Sequence, residues 1–401
     1  AEVASQLSET VEDALKKPAR QGAVDVGEEG EQQEDGEEAE SAGEEGGGGQ
    51  QKSHRKARSR GGASKTSSGG ASHASHAGQP QPRHHGHADN GPDGLGALPG
   101  TPTCKECSHH GICQHDESGA FKGCLCAVLY NGAADCSKIT QFPKPRPMTG
   151  FQGRYDKSLI IAKSNVKGRS ELLAIRDPTA RSKSMRALAP VAKVNSKLLH
   201  SLPDEDPTDG RVYETCAIVG SSGILLNYKR GAEIDSHDMV FRFNSAPTKG
   251  FEEFCGRKTT HRITNSRNFA YREYASEIDM QHMRSPNNIE ALIEQRRRHP
   301  KKRFYGIHTD FINYMDDSLD FLATSGLFGI FIALHKCASI DIYGFQVHAR
   351  HGVQYHYYNP KDKPANEGRD DTEFEVIKAL AEAGLFKFSE ACVLECHQSK
   401  E

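Results

Sequence analysis

The last half of the sequence predicts an α/β fold, an open sheet with flanking helices, preceded by a small cysteine-rich module and a low-complexity N-terminal segment. Three observations predict it. From about residue 210, apolar runs of strand length alternate with helical stretches. Two of those runs end in glycine-rich or polar turns, at Gly220-Ser221-Ser222-Gly223 and at Asn244. In an open sheet, turns at the carboxyl ends of the strands face the ligand crevice. Six of the eleven cysteines fall between Cys104 and Cys136, a density that suggests disulfide staples in an oxidising compartment.

Residues 1–100 read as a disordered stem. Residues 28–45 are mostly Glu, Asp, Gln and Gly, residues 52–60 are basic, and residues 61–100 are rich in Gly, Ser, His and Pro. Such segments bury too little apolar surface to offset chain entropy. They fit the low apolar content of 35% over 401 residues. Only residues 3–15 carry the pattern of a short amphipathic helix. The histidines from His73 to His87 are ligand types for a transition metal, but composition alone builds no rigid site, so no metal is expected. The net charge of −3 argues against nucleic acid as a partner. No apolar run has the length of a membrane span, and no signal peptide is legible. The chain opens at Ala1 rather than Met, so a missing upstream segment is the expectation, a place where a membrane anchor would fit though the sequence shows none.

Residues 101–140 form the cysteine module, spaced Cys104-x2-Cys107-x5-Cys113-x10-Cys124-x-Cys126-x9-Cys136. A chain this short has too little core to fold unaided, which favours disulfides. The alternative is zinc, with Cys104/Cys107 and Cys124/Cys126 as ligand pairs, and a missing second Cys-x2-Cys counts against it. Residues 141–209 read as a linker and packing region, with Pro143, Pro145 and Pro147 as a stiff link. The one Asp-x-Asp, Asp204-Glu205-Asp206, sits in a Pro-flanked polar loop and is read as loop.

Residues 210–401 form the main domain. A buried strand over 216–219 ends at Gly220, and glycines there let the backbone approach a phosphate, with a following helix aiming its amides at it. A second strand over 238–243 ends at Asn244. Thr324-Ser325-Gly326 opens an apolar helix running to about His335, again an anion or ribose site by geometry, and a strand over 339–343 ends at Gly344. Taken singly these signals are weak: Asn244 also reads as a turn residue before Pro247. His356, in Tyr355-His356-Tyr357-Tyr358-Asn359, also reads as a packed histidine. The basic run 296–303 reads as a solvated helix end, with an acidic acceptor or glycan as its alternative partner.

Together the blocks are far more specific. Cys216-Ala-Ile-Val-Gly220-Ser-Ser-Gly223, Ile234-Asp235-Ser-His237-Asp, Arg242-Phe-Asn244-Ser-Ala-Pro247, Gly250-Phe-Glu and Thr259-Thr260 resemble, in order, the long motif of the eukaryotic sialyltransferase family (glycosyltransferase family 29). Thr324-Ser325-Gly326, Cys337 and Ile340-Asp341-Ile-Tyr343-Gly344-Phe345 resemble its short motif, and His356-Tyr357-Tyr358-Asn359 its His-Tyr-Tyr-acid motif, with Asn359 replacing the acid. The cysteine module resembles an epidermal-growth-factor-like module. Its family pairing implies Cys104–Cys113, Cys107–Cys124 and Cys126–Cys136, and it lacks the usual calcium-binding acids.

The resemblance implies a Rossmann-like sheet, a variant of the GT-A glycosyltransferase fold, and a Cys216–Cys337 disulfide. It implies transfer of sialic acid from CMP-sialic acid to a glycan hydroxyl with inversion, with no cofactor or metal, because the leaving group is a monophosphate. The donor-site expectation is Ser221, Asn244, Thr324, Ser325, Gly326, Gly344 and His356. The expected compartment is the Golgi lumen, as a type II membrane protein. One departure stands out. The family's His-x4-Glu motif supplies the general base, and here the matching stretch is Asp370-Asp371-Thr372-Glu373-Phe374-Glu375. Asp370 takes the His position and is the candidate base, Glu375 matches the acid, and His348 or His351 could fold into the gap. Two alternatives stay open: the same fold with another nucleotide-sugar donor, and a secreted or surface binding protein with a degenerate transferase domain. Cys255, Cys392 and Cys396 have no assigned partners, and no Asn-x-Ser/Thr sequon is present.

Overall fold

A computed structural model describes residues 99–175, 187–345, 353–364 and 366–389. These belong to one compact unit, Pro82–Glu401. Nearly all of the expected stem lies outside the described residues, with its histidine tract and the helix expected over 3–15. So do His348, His351, Cys392 and Cys396.

The described chain opens with β1 (Thr101–Pro102), then the antiparallel pair β2 (Gly111–His115) and β3 (Phe121–Cys126) of the cysteine module. The module's six sulfurs are bonded as Cys104–Cys113, Cys107–Cys124 and Cys126–Cys136, which leaves no thiolate there for zinc. A second antiparallel pair follows, β4 (Glu171–Ile175) and β5 (Leu188–Lys193). The described residues of the segment 141–209 pack into the body of the unit: Leu159, Ile160 and Ile161 are fully buried. Asp206, in the Asp-x-Asp loop, is buried and accepts from the Ile160 and Thr208 N–H groups and the Thr208 hydroxyl. It is a structural anchor.

The main sheet runs through β6 (Arg211–Val219), β7 (Met239–Phe243), β8 (His261–Thr264), β9 (Ile278–Gln281), β10 (Phe304–Gly306), β11 (Cys337–Tyr343) and β12 (Lys387–Phe388). Their spatial order is β10-β9-β8-β7-β6-β11-β12, all parallel, with β1 added antiparallel to the start of β6. Strands buried on both faces read as continuous apolar runs, and β7, Met-Val-Phe-Arg-Phe, is buried at every position. Its one charge, Arg242, is fully buried and donates to the Cys255 and Lys258 carbonyls and the Thr259 hydroxyl. β6 begins five residues before the expected strand, because its first half pairs with β1 and β11. Cys216–Cys337 ties β6 to β11. Cys255 is a buried thiol with no disulfide partner among the described residues.

The longer helices are α1 (Pro286–Arg298), α2 (Thr309–Ser318), α3 (Ser325–Lys336) and α4 (Glu367–Glu382). The basic run is the last turn of α1 and the residues after it. α3 is apolar on all sides, the mark of a helix without a solvent face. It packs against β6, β7, β8 and β11 on one side and the turn Val128–Tyr130 of the cysteine module on the other. The helix expected after Gly223 is instead a short 3-10 stretch, Gly223–Asn227. Its entry is held elsewhere: the Gly223 N–H donates to the Gln354 carbonyl at 2.9 Å.

Candidate functional site

The strand order reverses between β6 and β11. From β6 the chain moves outward through β7 to β10, and from β11 it moves the other way to β12. The carboxyl ends of strands at such a switch point splay apart and leave a crevice. A cavity of about 520 Å³ lies there, lined by the residues that follow β6, β7, β8, β9 and β11.

All eight residues expected in the site line this cavity: Ser221, Asn244, Thr324, Ser325, Gly326, Gly344, His356 and Asp370. Their roles differ. Gly220 and Gly344 bring the ends of β6 and β11 together. A Cβ on Gly220 would sit 2.3 Å from the Gly344 carbonyl oxygen, and Gly344 itself has φ +72°. The Gly220 and Ser222 N–H groups donate to the Tyr343 and Gly344 carbonyls at 2.7 and 3.0 Å. The expectation of a phosphate on the amides of this turn is therefore corrected: three of them are spent on the neighbouring chain. Ser221 alone keeps its N–H and hydroxyl without a partner among the described residues.

Unspent amides do occur at α3. Thr324 is its N-cap, accepting from the Leu327 N–H at 3.3 Å. The Ser325 and Gly326 N–H groups, in the first turn, have no partner among the described residues, and they point the positive end of a 12-residue helix at the cavity. The Thr324 hydroxyl is not available to a ligand. It donates to Glu373, whose other oxygen accepts the Thr324 N–H at 2.8 Å.

Asn244 sits in the left-handed region, φ +50°, which Asn tolerates better than most residues. It is held there by Arg262, whose guanidinium donates to the Asn244 and Ala246 carbonyls and pairs with Glu277 at 2.6 Å, both side chains fully buried. The Asn244 Oδ1 accepts from the Asn265 N–H at 3.1 Å. Its Nδ2 is left as a donor with no partner among the described residues, facing the cavity wall it helps to form.

His356 packs flat on Tyr358, and its Nδ1 lies 2.7 Å from an Asp362 oxygen. Asn359, where an acid was expected, instead donates to the other oxygen of Asp362 at 2.5 Å. The carboxylate that fixes the imidazole thus comes from three residues further on, and Nε2 is left for a ligand.

α4 supplies the acid wall. Asp370 accepts from the Tyr355 hydroxyl at 3.1 Å through one oxygen and from Arg369 at 2.6 Å through the other. One turn on, Glu373 is buried, and burial pushes its carboxyl up to about 7 against the lowering pull of its Thr324 hydrogen bonds. Glu375, the acid that the sequence pattern matched, faces solvent on the same helix and does not line the cavity. Helical spacing explains this: Asp370 and Glu373 are three apart and share a face, whereas five apart places Glu375 on another. Sequence reasoning also missed His282, whose Nε2 lies 3.3 Å from the Ser325 hydroxyl and whose burial holds it neutral, its pKa lowered to about 3. It follows β9 in the same way as Asn244 follows β7, and that position was its only signal.

A family model described as glycosyltransferase family 29 (sialyltransferase) matches residues 161–294 and 278–385. The chain belongs to that family. The match to the sialyltransferase family begins inside the segment 141–209 that packs into the unit. The chain is 28% identical over 241 residues to a "Beta-galactoside alpha-2,6-sialyltransferase 2" of Bos taurus, covering 52% of this chain and 46% of that protein. It is 31% identical over 206 residues to a "CMP-N-acetylneuraminate-beta-galactosamide-alpha-2,3-sialyltransferase 1" of Pan troglodytes, covering 43% and 58%. The chain spans about half the length of these curated relatives. A solved structure described as "Crystal Structure of a Mammalian Sialyltransferase" aligns with a TM-score of 0.44 at 24% identity, over 61% of this chain and 95% of that one.

Proposed function

We propose that this chain transfers sialic acid from CMP-sialic acid to a glycan hydroxyl, with inversion and without a metal ion, in the Golgi lumen. The convergence of the eight expected site residues on one cavity at the switch point carries the reading. Relatives named for β-galactoside acceptors support a galactose-terminated glycan as the acceptor.

The chemistry follows from what each group has to offer. The Ser325 and Gly326 amides, the Asn244 Nδ2 and the Ser221 hydroxyl are donors without partners among the described residues, suited to the phosphate and ribose of a CMP conjugate. His356, with Nδ1–H given to Asp362, donates to the leaving phosphate from Nε2 as the doubly protonated imidazolium. The acceptor oxygen bonds the anomeric carbon as the carbon–oxygen bond to phosphate breaks. CMP leaves with that electron pair, and the acceptor's proton passes to the Asp370 carboxylate. Displacement in one step from the opposite face inverts the centre. Tyr355 and Arg369 orient Asp370 as a proton acceptor. Loss of a single phosphate needs no bridging cation, and Asp206 of the one Asp-x-Asp is committed to backbone hydrogen bonds.

Calorimetric titration of the full chain with CMP, against UDP, GDP and AMP, tests the donor class. Selective CMP binding that weakens tenfold or more in Asn244→Ala is expected, since a hydrogen bond to a charged group contributes about 1.5–3 kcal/mol. No CMP binding by a folded sample would sink the proposal, and preference for UDP would move the donor to another nucleotide sugar.

A further inference from the structure

A second and larger cavity, about 740 Å³, opens at the opposite end of the sheet, between the cysteine module and the amino ends of β6 and β11. Nothing in the proposed reaction uses it. Its volume is within the range of small-molecule sites.

Its charges do not cancel. Arg154 pairs with Asp156, and Arg169 and Lys157 both pair with Asp310. Two further cations line the cavity, Arg211 and Lys336, and among the described residues each hydrogen-bonds only a neutral backbone carbonyl, of Gly100 and of Thr208, both at 3.0 Å. Acceptors for hydroxyl groups are present too. Asp209 accepts from Ser158 through one oxygen at 2.9 Å, and its other oxygen has no hydrogen-bond partner among the described residues.

His335, in the same lining, adds an independent sign. Its Nδ1 lies 2.7 Å from the Phe331 carbonyl, which can only accept, so Nδ1 carries the proton. The ring is buried beside Tyr130 and Tyr155 and is held neutral, its pKa lowered to about 4. Its Nε2 is then a bare lone pair, buried and without a partner among the described residues. Burying an acceptor unpaired is costly, and a group that donates O–H relieves it.

We propose that this cavity binds an acidic sugar unit, its carboxylate on Arg211 and Lys336 and its hydroxyls on Asp209 and His335. The site is separate from the donor crevice, and it makes the junction with the cysteine module a glycan-holding surface.

Saturation-transfer NMR and calorimetry on the full chain, with galacturonate as probe and galactose and sulfate as controls, test this. Galacturonate is expected to bind at least tenfold more tightly than either control. Arg211→Gln with Lys336→Gln is expected to lower galacturonate affinity at least tenfold. Asp209→Asn, at an exposed position that a fold tolerates, is expected to shrink the preference for galacturonate over sulfate severalfold, since it removes a hydroxyl acceptor along with a charge that opposes both anions. Thermal unfolding establishes that each variant is folded. Absence of galacturonate binding to the wild type would overturn the proposal, as would unchanged binding in the folded variants. Sulfate binding as tight as galacturonate would make this a plain anion site and remove the sugar from it.

Discussion

Glu373→Gln separates a buried proton from the rest of the molecule. The Glu373 carboxyl is buried at the N-terminus of α3, and its pKa rises from 4.5 to about 7, with burial as the main cause. A carboxyl raised in this way binds more protons folded than unfolded. Its contribution to stability is therefore fully present below about pH 4.5 and is lost as pH climbs through about 7. The whole interval corresponds to about 3 kcal/mol at 1.36 kcal/mol per pH unit. Glutamine copies the protonated acid, with its carbonyl on the Thr324 N–H and its amide on the Thr324 hydroxyl. Denaturant unfolding of both proteins between pH 4.5 and 8 is the assay. The wild type should lose up to about 3 kcal/mol relative to the variant as pH rises, because every other titrating group is common to both. In thermal scans the relative shift is on the order of 6–10 °C. The same charge opposes an anion on the neighbouring Ser325 and Gly326 amides, so CMP affinity should fall above about pH 7 in the wild type alone. Parallel pH profiles for the two proteins would show that Glu373 is not the group that titrates, and the reasoning from its burial would fail.

Three further outcomes are expected. Asp370→Asn keeps the side-chain shape and removes the proton acceptor, so kcat should fall by about 10²–10⁴ with CMP affinity within a fewfold of wild type; Asp370→His should recover most of it, and an equally inactive His variant would point to another base. Asp362→Ala releases His356 Nδ1 and should lower kcat more than it weakens acceptor binding, measured as separate kcat and KM values. Cys216→Ser with Cys337→Ser opens a loop of 121 residues and should cost about 4–5 kcal/mol in denaturant unfolding.

Sequence pattern could be read here wherever local chemistry and tertiary role coincide. β7 and the last four residues of β6 are buried at every position, as parallel strands covered on both faces are, and both runs end in residues that form the crevice. The apolar excess of α3 was legible as a helix, but its second buried face became understandable only with the turn Val128–Tyr130 laid against it. Function-bearing details set by register were not legible. Whether Glu373 or Glu375 faces the cavity depends on the rotation of α4 about its axis, which weak amphipathicity does not fix in advance. Three amides of the Gly220–Gly223 turn looked free in the sequence because the residues that consume them, Tyr343, Gly344 and Gln354, arrive more than a hundred residues later.

The site also shows why a motif can survive a substitution at its acid. The Nδ1 of His356 is held by a carboxylate, and that arrangement is spatial. Asn359 cannot meet it, but as an amide donor it can hold a carboxylate that does, and Asp362 lies within its reach at 2.5 Å. A one-residue change thus moves the charge three positions along the loop without moving it away from the imidazole. The same logic bears on Asp370: what the reaction needs there is a proton acceptor oriented toward the crevice. Tyr355 and Arg369 supply that orientation to a carboxylate, as a backbone or carboxylate partner would to an imidazole. On the proposed mechanism Asp370 is a change of base within an intact frame, and the two Asp370 variants distinguish that from a frame that has lost its chemistry.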